Sequence, residues 1–315
     1  MSDILSVQNL TKQFNLEAGF FSKNKNTVYA VNDVSFSLPK SSSYGIVGES
    51  GCGKTTTARM LIQMYKQTSG NILFNGKDVQ NFSKKELKLY REKVKYIFQD
   101  PARSLNPRMT VYKILTNALK YSSKWNGKKD ALERASKIIQ EVGLSTEDLN
   151  RRPQEFSGGQ RQRISIARGL IMDPEVLICD EVVSALDVSI QGQIINLLKT
   201  LKDTRGLSYI FITHDLKVAC YFCDTIGVMY RGILVEEGPA KLMYKEAKHP
   251  YTQLLFKGAS GELNNSNLEV KTTLKQEKCC PFAHRCQKAT DKCKCEIPPF
   301  TETEQNHKVR CWLYS

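Results

Sequence analysis

The stretch Gly48-Glu49-Ser50-Gly51-Cys52-Gly53-Lys54-Thr55-Thr56 carries the strongest chemical signal in the chain. Glycines at 48, 51 and 53 let backbone N–H groups converge on phosphate oxygens with no Cβ atoms in the way. Lys54 would reach the β- and γ-phosphates of a nucleotide, Thr55 would hold Mg2+ through its hydroxyl, and Thr56 would add a phosphate contact. Asp180 suits a water-mediated bond to the same Mg2+. Glu181, one residue on, could orient or deprotonate an attacking water. His214 could touch the γ-phosphate and that water. Its functional reading depends on the other two motifs, because a histidine after a strand is more often structural.

These residues need elements to hold them. Tyr44 to Val47 is a short apolar run directly before the glycine loop, and TARMLIQMY after it reads as an amphipathic helix. Val176 to Cys179 reads as a buried parallel strand that ends at Asp180, and LSYIFIT as another that ends at Thr213. In YIFQDPARSLNP, Tyr96 to Pro107, a β-type run ends in Gln99. In FSGGQRQRISIARGL, Ser157, Gly158, Gly159 and Gln160 precede a helix whose Ile164, Ala167, Leu170 and Ile171 share a face. That helix start is a second place suited to an anion. One glycine loop and a second anion site in a single chain imply that the two serve different nucleotides, and a head-to-tail dimer is the simplest solution.

The 315 residues allow a sizeable core, and 41% hydrophobic against 25% charged residues is the balance of a soluble globular protein. No apolar run approaches the eighteen or so residues of a membrane helix, and MSDILSVQNL lacks the pattern of a secretory signal, so a cytoplasmic address is expected. The net charge of +14 would suit a phosphate-bearing partner, but the basic residues are spread along the chain. There is no recognisable nucleic-acid-binding motif, and no nucleic-acid partner is expected.

With these motifs in place, the chain resembles the ATP-binding subunits of ABC transporters. Walker A (Gly48 to Thr55), Q-loop (Gln99), signature (Ser157 to Gln160), Walker B (Val176 to Asp180), D-loop (Ser184, Ala185, Leu186, Asp187) and H-loop (His214) match in order and spacing. The resemblance implies an α/β fold: a RecA-like P-loop NTPase core with an inserted helical subdomain and a C-terminal cysteine-rich extension. It implies ATP and Mg2+ as cofactors, the metal near Thr55, Gln99 and Asp180. It also implies that each ATP lies between the Walker A of one subunit and the signature of its partner. In similar proteins an aromatic residue stacks on adenine, and Phe14 falls where that residue usually lies, with Tyr29 as competitor. The family normally has proline after the catalytic glutamate; Val182 stands there instead.

IFQDPARSLNPRMTV, LICDEVVSALDVSIQGQIINLL, HPYTQLL and the cysteine tail narrow the resemblance to the F-type ATPase of dipeptide and oligopeptide permeases. It implies a partner ATPase of the D type, two membrane permease subunits, indirectly an extracellular solute-binding protein, and a place on the cytoplasmic face of the membrane. Nickel importers share much of the pattern. A soluble ABC protein acting on nucleic acid is the rival from another class. The expected domains are an ATPase domain over 1–257, with core 1–99 and 161–257 and a helical subdomain over about 100–160, a linker over 258–278 and a cysteine-rich module over 279–315.

In that module Cys280, Cys286, Cys293 and Cys311 are separated by five, six and seventeen residues, which fits a zinc ribbon poorly. Four soft thiolates suit an iron–sulfur cluster or zinc. Similar permease ATPases hold a four-iron cluster here, which makes that the favoured reading, with zinc and uncoordinated thiols left open.

Overall fold

The structure is a computed structural model and describes residues 3–16, 26–259, 279–303 and 306–315. The linker expected over 258–278 lies, from residue 260 onward, outside the described residues. The chain divides into two compact units. One comprises Met1–Leu5, Leu38–Ser42 and Leu73–Ile212; the other comprises Ser6–Ser37, Ser43–Ile72 and Thr213–Ser315.

In the first unit three strands run parallel. Val94–Ile97 pairs with Val176–Asp180, placing Ile97 opposite Cys179, and Val176–Asp180 pairs with Ser208–Thr213, placing Asp180 opposite Ile212. Every residue of Val176–Asp180 is buried, which is why the strand reads as a continuous apolar run rather than an alternating one. The helix Gly158–Leu170 closes on these strands at Gly169, where a Cβ would lie 3.2 Å from a Leu177 methyl and 3.5 Å from Ile97. Ile164, Ala167, Leu170 and Ile171, the face read from the sequence, are all buried.

Between the strand ending at Ile97 and that helix, the chain is mainly helical. Thr110 caps the helix Val111–Lys120 by accepting the Lys113 N–H, and the helix buries Val111, Ile114, Leu115 and Leu119. The helix Gly127–Glu141 follows Asn126 and buries Ala131, Ala135, Ile138 and Ile139. Arg168 donates to the Ser104 carbonyl (2.6 Å), and Arg205 pairs with Glu141 (2.7 Å), tying distant parts of this unit together.

In the second unit Ser43–Val47 pairs parallel with Thr225–Tyr230, which turns at Arg231 and Gly232 into the antiparallel strand Ile233–Pro239. The other edge of Ile233–Pro239 takes Lys308–Val309, with Glu236 opposite Val309, and Thr301–Glu302 pairs in turn with Lys308–Val309. The cysteine-rich tail therefore extends the sheet that carries the glycine loop. Tyr230, Tyr251 and Phe282 form an aromatic cluster with ring centroids 4.5, 5.3 and 5.4 Å apart. Each such pair contributes about 0.5–1.5 kcal/mol beyond its burial. No described helix is long and apolar enough to cross a membrane.

Candidate functional site

The glycine loop follows the buried strand Ser43–Val47 and leads into the helix Lys54–Leu61. Gly53 adopts φ 112°, and a Cβ there would fall 2.3 Å from the Ala30 carbonyl oxygen; at Gly48 a Cβ would fall 2.1 Å from that of Met229. Side chains are sterically excluded at both positions, so the loop backbone stays bare. Lys54 is 4% exposed, and its ammonium donates to the carbonyls of Gly48 (2.7 Å) and Glu49 (2.9 Å). Ser50 is exposed, Thr55 and Thr56 are half-buried, and Cys52 is buried, which pushes its thiol pKa up.

Two residues outside the sequence-derived set hold this loop. The Glu49 N–H donates to the Tyr251 hydroxyl (2.9 Å), and the Glu49 carboxylate accepts a two-pronged bond from Arg285 (2.9 and 3.0 Å). In the same unit His214 is exposed at the end of Ser208–Thr213, beside Asp215, which caps the helix Leu216–Phe222 by accepting the N–H groups of Lys217 and Val218. Phe14 is 37% exposed, with its ring edge-on to Tyr65 and the Lys12 ammonium 5.1 Å from its centroid; Tyr29 is 36% exposed. Neither aromatic is a packed core residue, and both offer surface for stacking.

In the first unit, strand pairing brings the acidic residues and the Q-loop glutamine together. Gln99 donates from Nε2 to the Glu181 carboxylate (2.7 Å), and the Tyr96 hydroxyl donates to the Asp180 carboxylate. Tyr96 is another residue absent from the sequence-derived set. It precedes Gln99 by three positions, and the only available signal was its place on the strand beside Val176–Asp180. Asp180 is buried at 2% exposure. Glu181 has φ 49°, a backbone state uncommon outside glycine and asparagine, as it leaves the strand. The turn is held by the Glu181 N–H bonding the Ile212 carbonyl (2.9 Å) and by the Ser184 hydroxyl donating to the Glu181 carbonyl (2.9 Å). Val182 is buried, so the turn is pinned by packing and by Ser184 where proline is absent.

Ser157 is the exposed N-cap of Gly158–Leu170. Its hydroxyl accepts the Gln160 N–H (3.3 Å), and the Gln160 side chain accepts the Ser157 N–H (2.9 Å), forming a capping box. Gly158 lies against Leu186, and at Gly159 a Cβ would meet an Ile190 methyl at 2.8 Å. The Ser184-Ala185-Leu186-Asp187 turn thus neighbours the signature glycines, with Ala185 and Asp187 exposed.

Cys280, Cys286, Cys293 and Cys311 line one small cavity with His249, Phe282 and Trp312. Burial pushes the Cys280 thiol up to about 11 and raises those of Cys286 and Cys311, so the neutral thiol is favoured where a metal would require thiolate. Among the described residues no group of three or more His, Cys, Asp or Glu side chains is arranged to hold a metal ion. The four expected ligands thus share one cavity, without the arrangement of a metal site.

A family model described as ABC transporter matches residues 31–184, and one described as oligopeptide/dipeptide transporter, C-terminal region, matches 235–293. The chain is 42% identical over 322 residues to the oligopeptide transport ATP-binding protein AppF of Bacillus subtilis, covering 99% of this chain and 98% of that protein. It is 43% identical over 309 residues to OppF of the same organism, covering 98% of this chain and 96% of that protein. Among solved structures it resembles the dimeric post-hydrolysis state of the ATP-binding cassette MJ0796 bound to ADP and Pi. That likeness has a TM-score of 0.65 and 26% identity and covers 75% of this chain and 99% of the other. It also resembles cbiO1 from Clostridium perfringens, with a TM-score of 0.67 and 26% identity, covering 83% of this chain and 98% of the other.

Proposed function

This chain belongs to the ABC transporter family of ATP-binding subunits, and on that premise we propose that it hydrolyses MgATP to power uptake of di- and oligopeptides through membrane permease subunits. The observation that carries the peptide reading is the likeness to oligopeptide transport ATP-binding proteins over nearly the whole chain, C-terminal region included.

The residues divide the work as follows. Lys54 leaves the loop carbonyls to bind the β- and γ-phosphates, the bare amides of Gly48 to Gly53 receive phosphate oxygens, and Thr55 and Asp180 hold Mg2+. Glu181 orients and deprotonates the attacking water, while His214 steadies the γ-phosphate. Gln99, bonded to Glu181, reports the state of the γ-phosphate to the permease, whose short helix docks on the helical segment that follows Gln99. Ser157 to Gln160 serve the ATP held by a partner subunit, with Ser184 to Asp187 at the same interface. The partner is a D-type ATPase, the assembly sits on the cytoplasmic face of the membrane, and a solute-binding protein delivers the cargo. Phe14 stacks on adenine.

The cysteine tail holds an iron–sulfur cluster, with zinc as the alternative. The support is the four thiols facing one cavity, and no step of hydrolysis runs through it. Absorbance near 400 nm with iron and sulfide in anaerobically purified protein supports the cluster; colourless protein with stoichiometric zinc refutes it.

The transport reading is tested by reconstituting the chain with its permease and partner ATPase. ATP-dependent uptake of labelled peptide, lost with Glu181→Gln, supports it. Uptake of nickel chelates in place of peptides would overturn the cargo assignment while leaving the ATPase intact.

A further inference from the structure

A carboxylate in a phosphate-binding loop has the charge of the ligand it must admit. Glu49 is such a group, and the structure neutralises it from a part of the chain 236 residues away. Arg285 meets the Glu49 carboxylate with both terminal guanidinium nitrogens, Nη1 to Oε2 at 2.9 Å and Nη2 to Oε1 at 3.0 Å. This planar fork fixes orientation as well as charge. The Arg285 side chain is 8% exposed and lies against the rings of Tyr230 and Phe282. The guanidinium is thus shielded from the solvent screening that makes surface ion pairs weak, while the Glu49 carboxylate keeps 32% exposure.

Glu49 is held at two further points. Its N–H donates to Tyr251, a fully buried residue, and its carbonyl accepts from Lys54, the residue that must reach the phosphates. A shift of Glu49 therefore moves the carbonyl that Lys54 is bonded to and the loop amides beside it. Arg285 itself sits in the tight turn from Cys280 to Cys286, where the Ala283 N–H bonds the Cys280 carbonyl (3.0 Å), that of Arg285 bonds Phe282 (3.0 Å) and that of Cys286 bonds Ala283 (3.3 Å).

We propose that Arg285 is a positioning residue of the nucleotide site: through Glu49 it holds the phosphate loop in its receiving shape and cancels the carboxylate's repulsion of the phosphates. The cysteine tail thereby sets how tightly this chain binds ATP. The assignment rests on the glycine loop being the nucleotide site, and its test separates the two.

The test measures binding of the fluorescent analogue mant-ATP with Mg2+ to the full chain, together with thermal melting and ATP hydrolysis. Arg285→Ala is expected to weaken binding about tenfold, with hydrolysis at saturating ATP changed less than about twofold. Arg285→Ala combined with Glu49→Gln removes the stranded carboxylate and is expected to recover affinity to within about threefold of the unaltered chain. Arg285→Lys, which keeps the charge and loses the fork, falls between. The proposal is overturned if folded Arg285→Ala binds as tightly as the unaltered chain, or if the double variant binds no better than Arg285→Ala. Should Arg285→Ala not fold, Arg285→Lys decides: unchanged affinity in that variant rejects the role, and weakened affinity supports it. Lys54→Ala in the same assay must abolish binding. If it does not, the nucleotide-site reading fails, whatever Arg285 does.

Discussion

Gln99 donates its side-chain amide to the carboxylate of Glu181 across 2.7 Å, joining residues 82 positions apart. With Glu181 as the proposed base, the glutamine holds one of the two oxygens that could take the proton from water. Glu181→Gln is expected to bind ATP while hydrolysing it at least ~100-fold more slowly, since general-base catalysis is worth two to four orders of magnitude. Near-normal phosphate release by that variant refutes the assigned base. Gln99→Ala leaves the carboxylate in place and is expected to slow turnover less, about tenfold, with binding unchanged.

Gly53 has no room for a side chain. Gly53→Ala places a Cβ 2.3 Å from the Ala30 carbonyl oxygen at φ 112°, so the loop must move or the chain must strain. A loss of ~2 kcal/mol or more of stability is expected, with loss of mant-ATP binding. Melting curves and binding titrations check both.

Ser157 caps its helix, and two substitutions separate that duty from the proposed one toward a partner's nucleotide. Ser157→Ala removes the N-cap and is expected to cost about 1 kcal/mol. Ser157→Asp keeps a good cap, so stability holds, but it puts a carboxylate where a partner's nucleotide would approach. Hydrolysis by the assembled dimer is then expected to collapse while the melting temperature is retained. Normal hydrolysis in the aspartate variant would remove Ser157 from the site.

His249 is buried beside Glu236 and accepts the Tyr251 N–H on Nδ1. Burial lowers its pKa to about 4 and outweighs the pull of Glu236. An unfolded histidine titrates near 6.5, so between about pH 6.5 and 4 the unfolded chain binds the extra proton and stability falls as pH falls. The full contribution is present above the unfolded value. His249→Asn retains an acceptor for Tyr251 and is expected to flatten this acid limb in denaturant titrations at successive pH values. An unchanged limb would assign acid sensitivity elsewhere.

Much of the fold was legible because its signals are local. The buried strands ending at Val47, Asp180 and Thr213 announce themselves as unbroken apolar runs, and the helix after Ser157 as a cap followed by a periodic face. The tail was less legible. The cysteine spacing suggested a separate module, yet Lys308–Val309 and Thr301–Glu302 join the sheet beside Ile233–Pro239, because short strands carry too little pattern to declare their partner. Tyr96, Tyr251 and Arg285 escaped the sequence for the same reason. A tyrosine on a strand or an arginine beside a cysteine has no spacing that marks it as reaching a catalytic loop.

By itself, then, the sequence determined the chemistry: a glycine loop with its lysine, an aspartate–glutamate pair at a strand end, and a capped signature helix. Each of these acts through neighbours a few residues apart, and backbone geometry over that range follows from residue type. The tertiary structure alone decided which carboxylate Gln99 bonds, that Arg285 neutralises Glu49, and that four cysteines spread over 32 positions face one cavity. Those pairings depend on how strands register and which aromatic faces pack, and such contacts form between segments whose distance along the chain carries no information about their distance in space.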